Sequence, residues 1–256
     1  MESINGCSWA LSKYFKPEES EILAKAYAEI EKVRPVTRHP ANLRLLLLEV
    51  EKQPFLMGLM AHPEKYGTPY GSGVRENEGI DSKAAFRKLQ AAGITHLVAL
   101  DEFEFPIMSQ RWADIGKENG KETKAHLFAT QDMTPISDKS LEAICAIGKS
   151  AAKNNEGMVI YCGKGFGRSG LATVYTILKM QEEARMLIRD KKTVVIEDLM
   201  KNSVNVPFHV AAAIKKVRQM DPPKGLNLKN YNGRSSEEGI SIETSEQIMT
   251  LARIFK

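Results

Sequence analysis

The residues of this sequence best suited to chemistry lie in one ten-residue segment, YCGKGFGRSG, which runs from Tyr161 to Gly170. Cys162 ends an apolar run, and Arg168 and Ser169 follow it at the start of a predicted helix. A cysteine is an effective nucleophile only as a thiolate, and lowering a thiol pKa from about 8.5 to about 5 requires about 5 kcal/mol. Because a helix dipole contributes only about 0.3–2 kcal/mol, the neighbouring residues must supply the rest.

The glycines and the arginine of this segment are suited to that task. Gly163, Gly165 and Gly167 allow the backbone to turn several N–H groups inward, and Arg168 carries a planar guanidinium that matches two oxygens of a phosphate. A strand, a glycine-rich loop and a helix N-terminus together form an anion site. We therefore expect this loop to bind a phosphate dianion and to stabilise the thiolate of Cys162.

The pattern CxxxxxR followed by Ser and Gly resembles the signature loop of the cysteine-dependent protein tyrosine and dual-specificity phosphatases. The resemblance implies that Cys162 attacks phosphorus to form a phosphocysteine, that Arg168 binds the phosphate and its transition state, and that Ser169 stabilises the departing thiolate. It also implies a set of phosphate-binding residues in the loop: Gly163, Lys164, Gly165, Phe166, Gly167 and Arg168. Tyr161 stands where the family usually has histidine, and no clear phosphotyrosine-clamping loop is present, which favours the dual-specificity-like branch.

Two further residues are nominated by the same resemblance. Asp132 lies 30 residues before the cysteine in QDMTP, which resembles the mobile acid loop of these enzymes, so it is the expected general acid. Asp101, Glu102 and Asp138 are alternative acids. The segment IETSEQ, which ends at Gln247, is similar to the segment that carries the water-positioning glutamine of tyrosine phosphatases.

The elements around these residues predict an α/β fold with a central, mostly parallel sheet flanked by helices. Apolar runs predict strands at 94–100, 126–130 and 158–162, with less distinct strands at 43–49, 55–60 and 194–196. Amphipathic patterns and capping residues predict helices at 17–33, 82–92, 137–153, 207–220 and 245–255, and one that starts near Ser169. We divide the chain into an N-terminal helical extension, residues 1–40, and a phosphatase-like catalytic domain, residues 41–256.

Composition limits the partners and the compartment. The 256 residues are 43% hydrophobic and 27% charged, which is typical of a compact globular protein, and a net charge of +4 is too small to predict nucleic-acid binding. Cys7, Cys145 and Cys162 are too few for a disulfide framework, so we expect free thiols, with the first two in the core. The longest apolar runs are far shorter than the roughly 20 residues of a transmembrane helix, and no secretory signal is evident. We expect a cytoplasmic protein, or one delivered into a host cytosol if it is a bacterial effector.

Several alternatives remain open at this stage. The histidines show no metal-binding spacing, so no metal or organic cofactor is expected. Phosphoproteins are the favoured substrates, but Lys164 could reach additional phosphates of a phosphoinositide or inositol phosphate, and a basic cluster at residues 215–218 could be a headgroup patch or a solvated helix face. A catalytically weak pseudophosphatase that binds phosphorylated partners is a third possibility. Gly165, Gly167 and Gly170 also spell the dinucleotide pattern GxGxxG, which we rank lower because it leaves the cysteine and the arginine unexplained.

Overall fold

A five-stranded sheet forms the centre of the protein. The computed structural model describes residues 17–32, 43–50, 53–63, 82–183, 192–198, 200–219 and 241–256. The strands lie in the order β1-β2-β5-β3-β4, and all neighbouring pairs are parallel except β1 and β2. Their bounds are β1 (Arg44–Val50), β2 (Gln53–Ala61), β3 (Ile94–Ala99), β4 (Lys124–Leu127) and β5 (Gly157–Cys162). The predicted mostly parallel α/β sheet is confirmed.

Helices cover both faces of the sheet. One face packs against α1 (Pro17–Lys32), α2 (Ser82–Ala91) and α3 (Phe105–Glu118). The other packs against α4 (Asp138–Lys153), α5 (Gly167–Glu183), α6 (Phe208–Gln219) and α7 (Ser245–Ile254). A separate antiparallel pair, β6 (Thr193–Glu197) and β7 (Ser203–Pro207), lies beside α6 and α7. Within the described ranges, none of the helices combines the length and hydrophobicity needed to span a bilayer.

The burial of β5 explains why its sequence, GMVIYC, is continuously apolar. Met158, Ile160 and Cys162 belong to the core under α4 to α7, whereas Val159 and Tyr161 belong to the core under α1 to α3. A parallel strand with both faces covered does not alternate between apolar and polar residues. Cys162 therefore lies at the carboxyl end of the central strand of the sheet.

The helix at 17–32, predicted as part of an extension, packs on the sheet. Leu23, Ala26 and Ile30 are buried in the same core as residues of β1, β2 and α2. Ile22 of the same helix is exposed. The domain boundary at residue 40 stays a prediction.

The structure differs from the sequence-based elements in three places. Helix α3 was not predicted, because its N-cap residue, Glu104, is not one of the side chains that usually mark a helix start. In the structure Glu104 has a left-handed conformation (φ 50°) and provides no side-chain cap. Strand β4 spans Lys124–Leu127 rather than 126–130, and β7 was missed because Ser203–Pro207 is short and polar. The strands predicted at 43–49 and 55–60 are confirmed as β1 and β2, while Cys7 lies outside the described residues.

Candidate active site

The thiol of Cys162 lies at the point where β5 ends and the glycine-rich loop begins. Its side chain is buried, with 3% of the residue exposed. The backbone N–H of Gly165 donates to Sγ at 3.3 Å, and the hydroxyl of Ser169, which is fully buried, lies 3.4 Å from Sγ. Both groups can donate to a thiolate, and hydrogen bonds to the charged form of a group favour that form.

The loop after Cys162 is held between β2 and the segment before α7. Gly165 has φ +84°, and a Cβ at this position would lie 2.5 Å from Ala61 N and from Met60 C. A Cβ on Gly167 would overlap the carboxylate of Glu243. Gly165 is therefore required both for its left-handed conformation and for its close approach to β2.

Arg168 connects this loop to the loops that follow β3 and β4. The residue is 4% exposed and lies in the first turn of α5. Its guanidinium donates to Leu100 O at 3.0 Å and to Thr130 O, and it pairs with Asp132 at 3.0 Å and Asp101 at 3.5 Å. Its buried Nε has no partner among the described residues. This N–H group therefore needs an acceptor, which an oxygen of a bound anion can supply.

Asp132 lies in the loop between β4 and α4 with 68% of its side chain exposed. A turn at Gln131–Thr134 presents it, since Thr134 donates from its backbone N and its hydroxyl to Gln131 O, and Met133 has φ 62°. The carboxylate reaches Arg168 while staying accessible to solvent. This placement suits a group that must exchange protons with a substrate and with water.

An open cleft of about 490 Å³ lies over the loop. It is lined by Asp101, Glu102, Ala129, Thr130, Gln131, Asp132, Gly163, Lys164 and Arg168. Three of these side chains are acidic and two are basic, so the described lining carries a net charge of −1, which is 2 − 3. The cleft brings together Asp132, Arg168 and Lys164, as well as two of the alternative acids.

The third alternative acid, Asp138, lies elsewhere. It is the first residue of α4, is not part of the cleft lining, and forms a two-pronged pair with Arg253. Hydrogen bonding by Arg253 lowers the pKa of the Asp138 carboxyl. Asp138 is therefore useful as a control for substitutions in the cleft.

Gln247 is fully buried at the third position of α7, where it completes a capping box with Thr244. Its Oε1 accepts from the backbone N–H of Glu243 at 2.9 Å, and its Nε2 donates to Thr134 O at 3.2 Å. The side chain thus links α7 to the loop that carries Asp132. The role of Gln247 in positioning water stays a prediction. The buried Glu243, whose N–H donates to Gln247, was not singled out from the sequence.

Tyr161, which stands where the family that the sequence resembles usually has histidine, packs edge-on against His62 with ring centroids 5.2 Å apart. Burial raises the pKa of Tyr161, and the charge of Asp101 raises it further. His62 follows β2, and its backbone N–H donates to Gly163 O at 3.0 Å while its Nε2 donates to Phe103 O at 2.9 Å. A histidine from the neighbouring strand therefore supports the loop, and only the register of β2 with β5 could have indicated it.

The remaining candidates lie outside the cleft. Cys145 is buried in the core, and burial raises the pKa of its thiol to about 11, as expected of a structural cysteine. The basic cluster at 215–218 is not one solvated face, because Arg218 is buried and donates to Ser241 O and Ile242 O. No group of three or more His, Cys, Asp or Glu side chains in the described parts of the chain is arranged to hold a metal.

Comparison with known proteins gives one family and several solved structures. Residues 72–181 match the family described as "Polymorphic toxin system, DSP-PTPase phosphatase". A kinase-associated phosphatase with its catalytic-site cysteine changed to serine superposes with a TM-score of 0.51 at 14% identity, over 84% of this chain and 94% of that one. At this identity the likeness shows the fold alone. No curated protein sequence matches.

Two other solved structures have lower scores. Tk-PTP in its active form has a TM-score of 0.42 at 16% identity, over 78% of this chain and 90% of that one. PTPMT1 in complex with PI(5)P has a TM-score of 0.47 at 12% identity, over 78% of this chain and 89% of that one.

Proposed function

We propose that this chain is a phosphoric monoester hydrolase of the dual-specificity and protein tyrosine phosphatase type, and that it acts through a phosphocysteine formed on Cys162. The observation that carries this mechanism is the setting of the thiol. The buried Sγ of Cys162, at the end of β5, accepts from the Gly165 N–H and lies beside the Ser169 hydroxyl. Arg168 follows at the other end of the loop. Such a site stabilises a thiolate and binds a phosphoryl group with the same donors.

In the first step, the Cys162 thiolate attacks phosphorus, so a P–S bond forms while the bond to the leaving oxygen breaks. Asp132 gives its proton to that oxygen. The Arg168 guanidinium and the loop N–H groups hold the three remaining phosphoryl oxygens, and charge spreads over these oxygens in the transition state. The arginine exchanges its contact with Asp132 for the phosphate.

In the second step, water attacks the phosphocysteine and releases inorganic phosphate. Asp132, now a carboxylate, takes a proton from the water, and the sulfur departs as a thiolate that accepts from Ser169 and Gly165. Gln247 is proposed to act here through the loop that carries Asp132, since its Nε2 donates to Thr134 O. The cycle ends with the free thiolate and a protonated Asp132.

We favour phosphorylated proteins over phosphoinositides as substrates. The described cleft lining carries three carboxylates and two cations, which disfavours a headgroup that bears several phosphates. A single phosphorylated side chain flanked by basic residues complements this charge. The family description names a polymorphic toxin system, which supports the proposal that these phosphoproteins belong to a recipient cell.

A substrate panel tests this function. With reductant and a metal chelator present, we expect hydrolysis of para-nitrophenyl phosphate, inhibition by vanadate, and a kcat/KM about tenfold higher for phosphopeptides with Lys or Arg flanks than for the same peptides with Asp or Glu flanks. Soluble short-chain PI(5)P should be a poorer substrate than the basic peptides. A preference for PI(5)P would overturn the substrate assignment, and a protein that binds vanadate without turnover would be a pseudophosphatase.

The acid role of Asp132 predicts a dependence on the leaving group. Asp132→Asn should lower kcat/KM by about 10²–10³-fold for phenyl phosphate and much less for para-nitrophenyl phosphate, whose leaving group needs little protonation. Asp138→Asn is the matched control, because Asp138 lies outside the cleft and pairs with Arg253 on the surface. Equal effects on both substrates would argue against the assignment, and Asp101→Asn would then be the next variant to compare.

A further inference from the structure

We infer that Arg44 is a positioning residue for the phosphate loop, an assignment that rests on the proposed function of that loop. Arg44 is the first residue of β1, at the antiparallel edge of the sheet, and is far from the loop in sequence. It is 4% exposed, although an arginine is seldom buried unless it is paired.

The guanidinium of Arg44 makes three contacts with or beside the loop. One Nη donates to the carbonyl oxygen of Gly165, and the other donates to Ser241 Oγ at 2.8 Å. The guanidinium carbon lies 4.8 Å from the centroid of the Phe166 ring, which is a cation–π distance. Two consecutive loop residues are thus held by one buried cation.

These contacts fix Gly165 from both sides. Its N–H donates to Cys162 Sγ, while its carbonyl oxygen accepts from Arg44. Because a trans peptide is planar, the N–H of Phe166 points opposite to the Gly165 carbonyl and so away from Arg44. Holding that carbonyl outward leaves the Phe166 N–H free to turn toward the bound phosphate. Arg44 also places a positive charge behind a loop that must hold a thiolate and a dianion.

Packing alone does not require this charge. Burying a guanidinium is costly because the charge loses its hydration, and a hydrophobic residue of similar volume often replaces a buried ion without loss of stability. Arg44→Met keeps most of the side-chain volume and removes the donors. Arg44→Lys keeps the charge and one donor but loses the planar fork.

The test is the pH dependence of iodoacetamide alkylation at Cys162, followed by peptide mass spectrometry. We expect the midpoint of the alkylation profile to rise by about one pH unit in Arg44→Met and by less in Arg44→Lys. The kcat/KM for para-nitrophenyl phosphate should fall by about tenfold or more in Arg44→Met, with weaker binding of vanadate. Circular dichroism and the midpoints of urea unfolding verify that both variants are folded. If Arg44→Met does not fold, the alkylation profile and the kinetics of Arg44→Lys alone test the assignment.

Arg218→Met is the matched control. Arg218 is equally buried and donates to Ser241 O and Ile242 O, but no contact with the phosphate loop is observed for it among the described residues. An equal shift in both variants would overturn the assignment, because anchoring of the segment at 241–242 would then explain it. An unchanged alkylation profile in Arg44→Met and Arg44→Lys would also overturn it. Alkylation needs no turnover, so a shifted profile in a protein without phosphatase activity would support Arg44 and contradict the proposed function.

Discussion

Cys162→Ser should lower kcat for para-nitrophenyl phosphate by more than about 10⁴-fold, because a serine hydroxyl in the same place is hardly ionised and cannot act as the nucleophile. The substitution keeps the volume of the side chain nearly unchanged. It also keeps a group that can accept from Gly165 N–H and contact Ser169. The loss should therefore appear in the chemical step, while vanadate or phosphate binding persists.

Cys145→Ser is the matched control for this experiment. Cys145 is a second buried thiol on α4, and its raised pKa of about 11 keeps it protonated at neutral pH. We expect its replacement to leave kcat unchanged and to affect only stability. Acid quenching during turnover should trap the mass of one phosphoryl group on the peptide that contains Cys162. Label on the Cys145 peptide, or persistent activity in Cys162→Ser, would contradict the mechanism.

Arg168→Lys should reduce kcat/KM for the same substrate by about 10³-fold, although the charge is retained. A lysine has no planar fork, so it cannot hold two phosphoryl oxygens while it also spans to Leu100 O and Thr130 O. The substitution also removes the guanidinium nitrogen that pairs with Asp132. We therefore expect both the affinity for vanadate and kcat to fall.

Arg253→Lys controls for the general effect of this exchange. Arg253 forms a two-pronged pair with Asp138 at an exposed site, where such pairs contribute little to stability. Its replacement should leave the kinetics unchanged. The measurement is the steady-state kcat/KM of the two variants for para-nitrophenyl phosphate. A decrease in kcat/KM of less than about tenfold in Arg168→Lys would contradict the proposed role of the planar guanidinium.

The part of the site that could be predicted from sequence is the part that is local in the chain. Cys162, Gly165 and Arg168 lie within seven residues, and the strand, loop and helix that carry them follow from an apolar run and from glycines at a turn. Asp132 lies near Arg168 because the loops after parallel strands meet at the carboxyl edge of the sheet, while its role as the acid stays a prediction.

The supports of the loop could not be predicted, because they depend on strand register. His62 and Arg44 reach the loop through β2 and β1, which are distant from it in sequence. Nothing in the apolar pattern of β1 distinguishes an arginine that faces solvent at a strand end from one that turns inward. Helix α3 was missed for a different reason, since Glu104 lacks the side-chain cap that marks most helix starts.

The packing of the segment before α7 against the loop bears on how the protein is made. Ile242 N–H donates to Phe166 O, and Glu243 lies against Gly167, so the loop contacts residues that are synthesised about 80 positions after Cys162. At about 5–20 residues per second, a ribosome needs roughly 4–16 s to cover that distance. A nascent chain during this interval holds the thiol but not the segment that encloses its loop. The cell that translates this chain therefore meets a completely enclosed loop only after almost all of the described chain has been made.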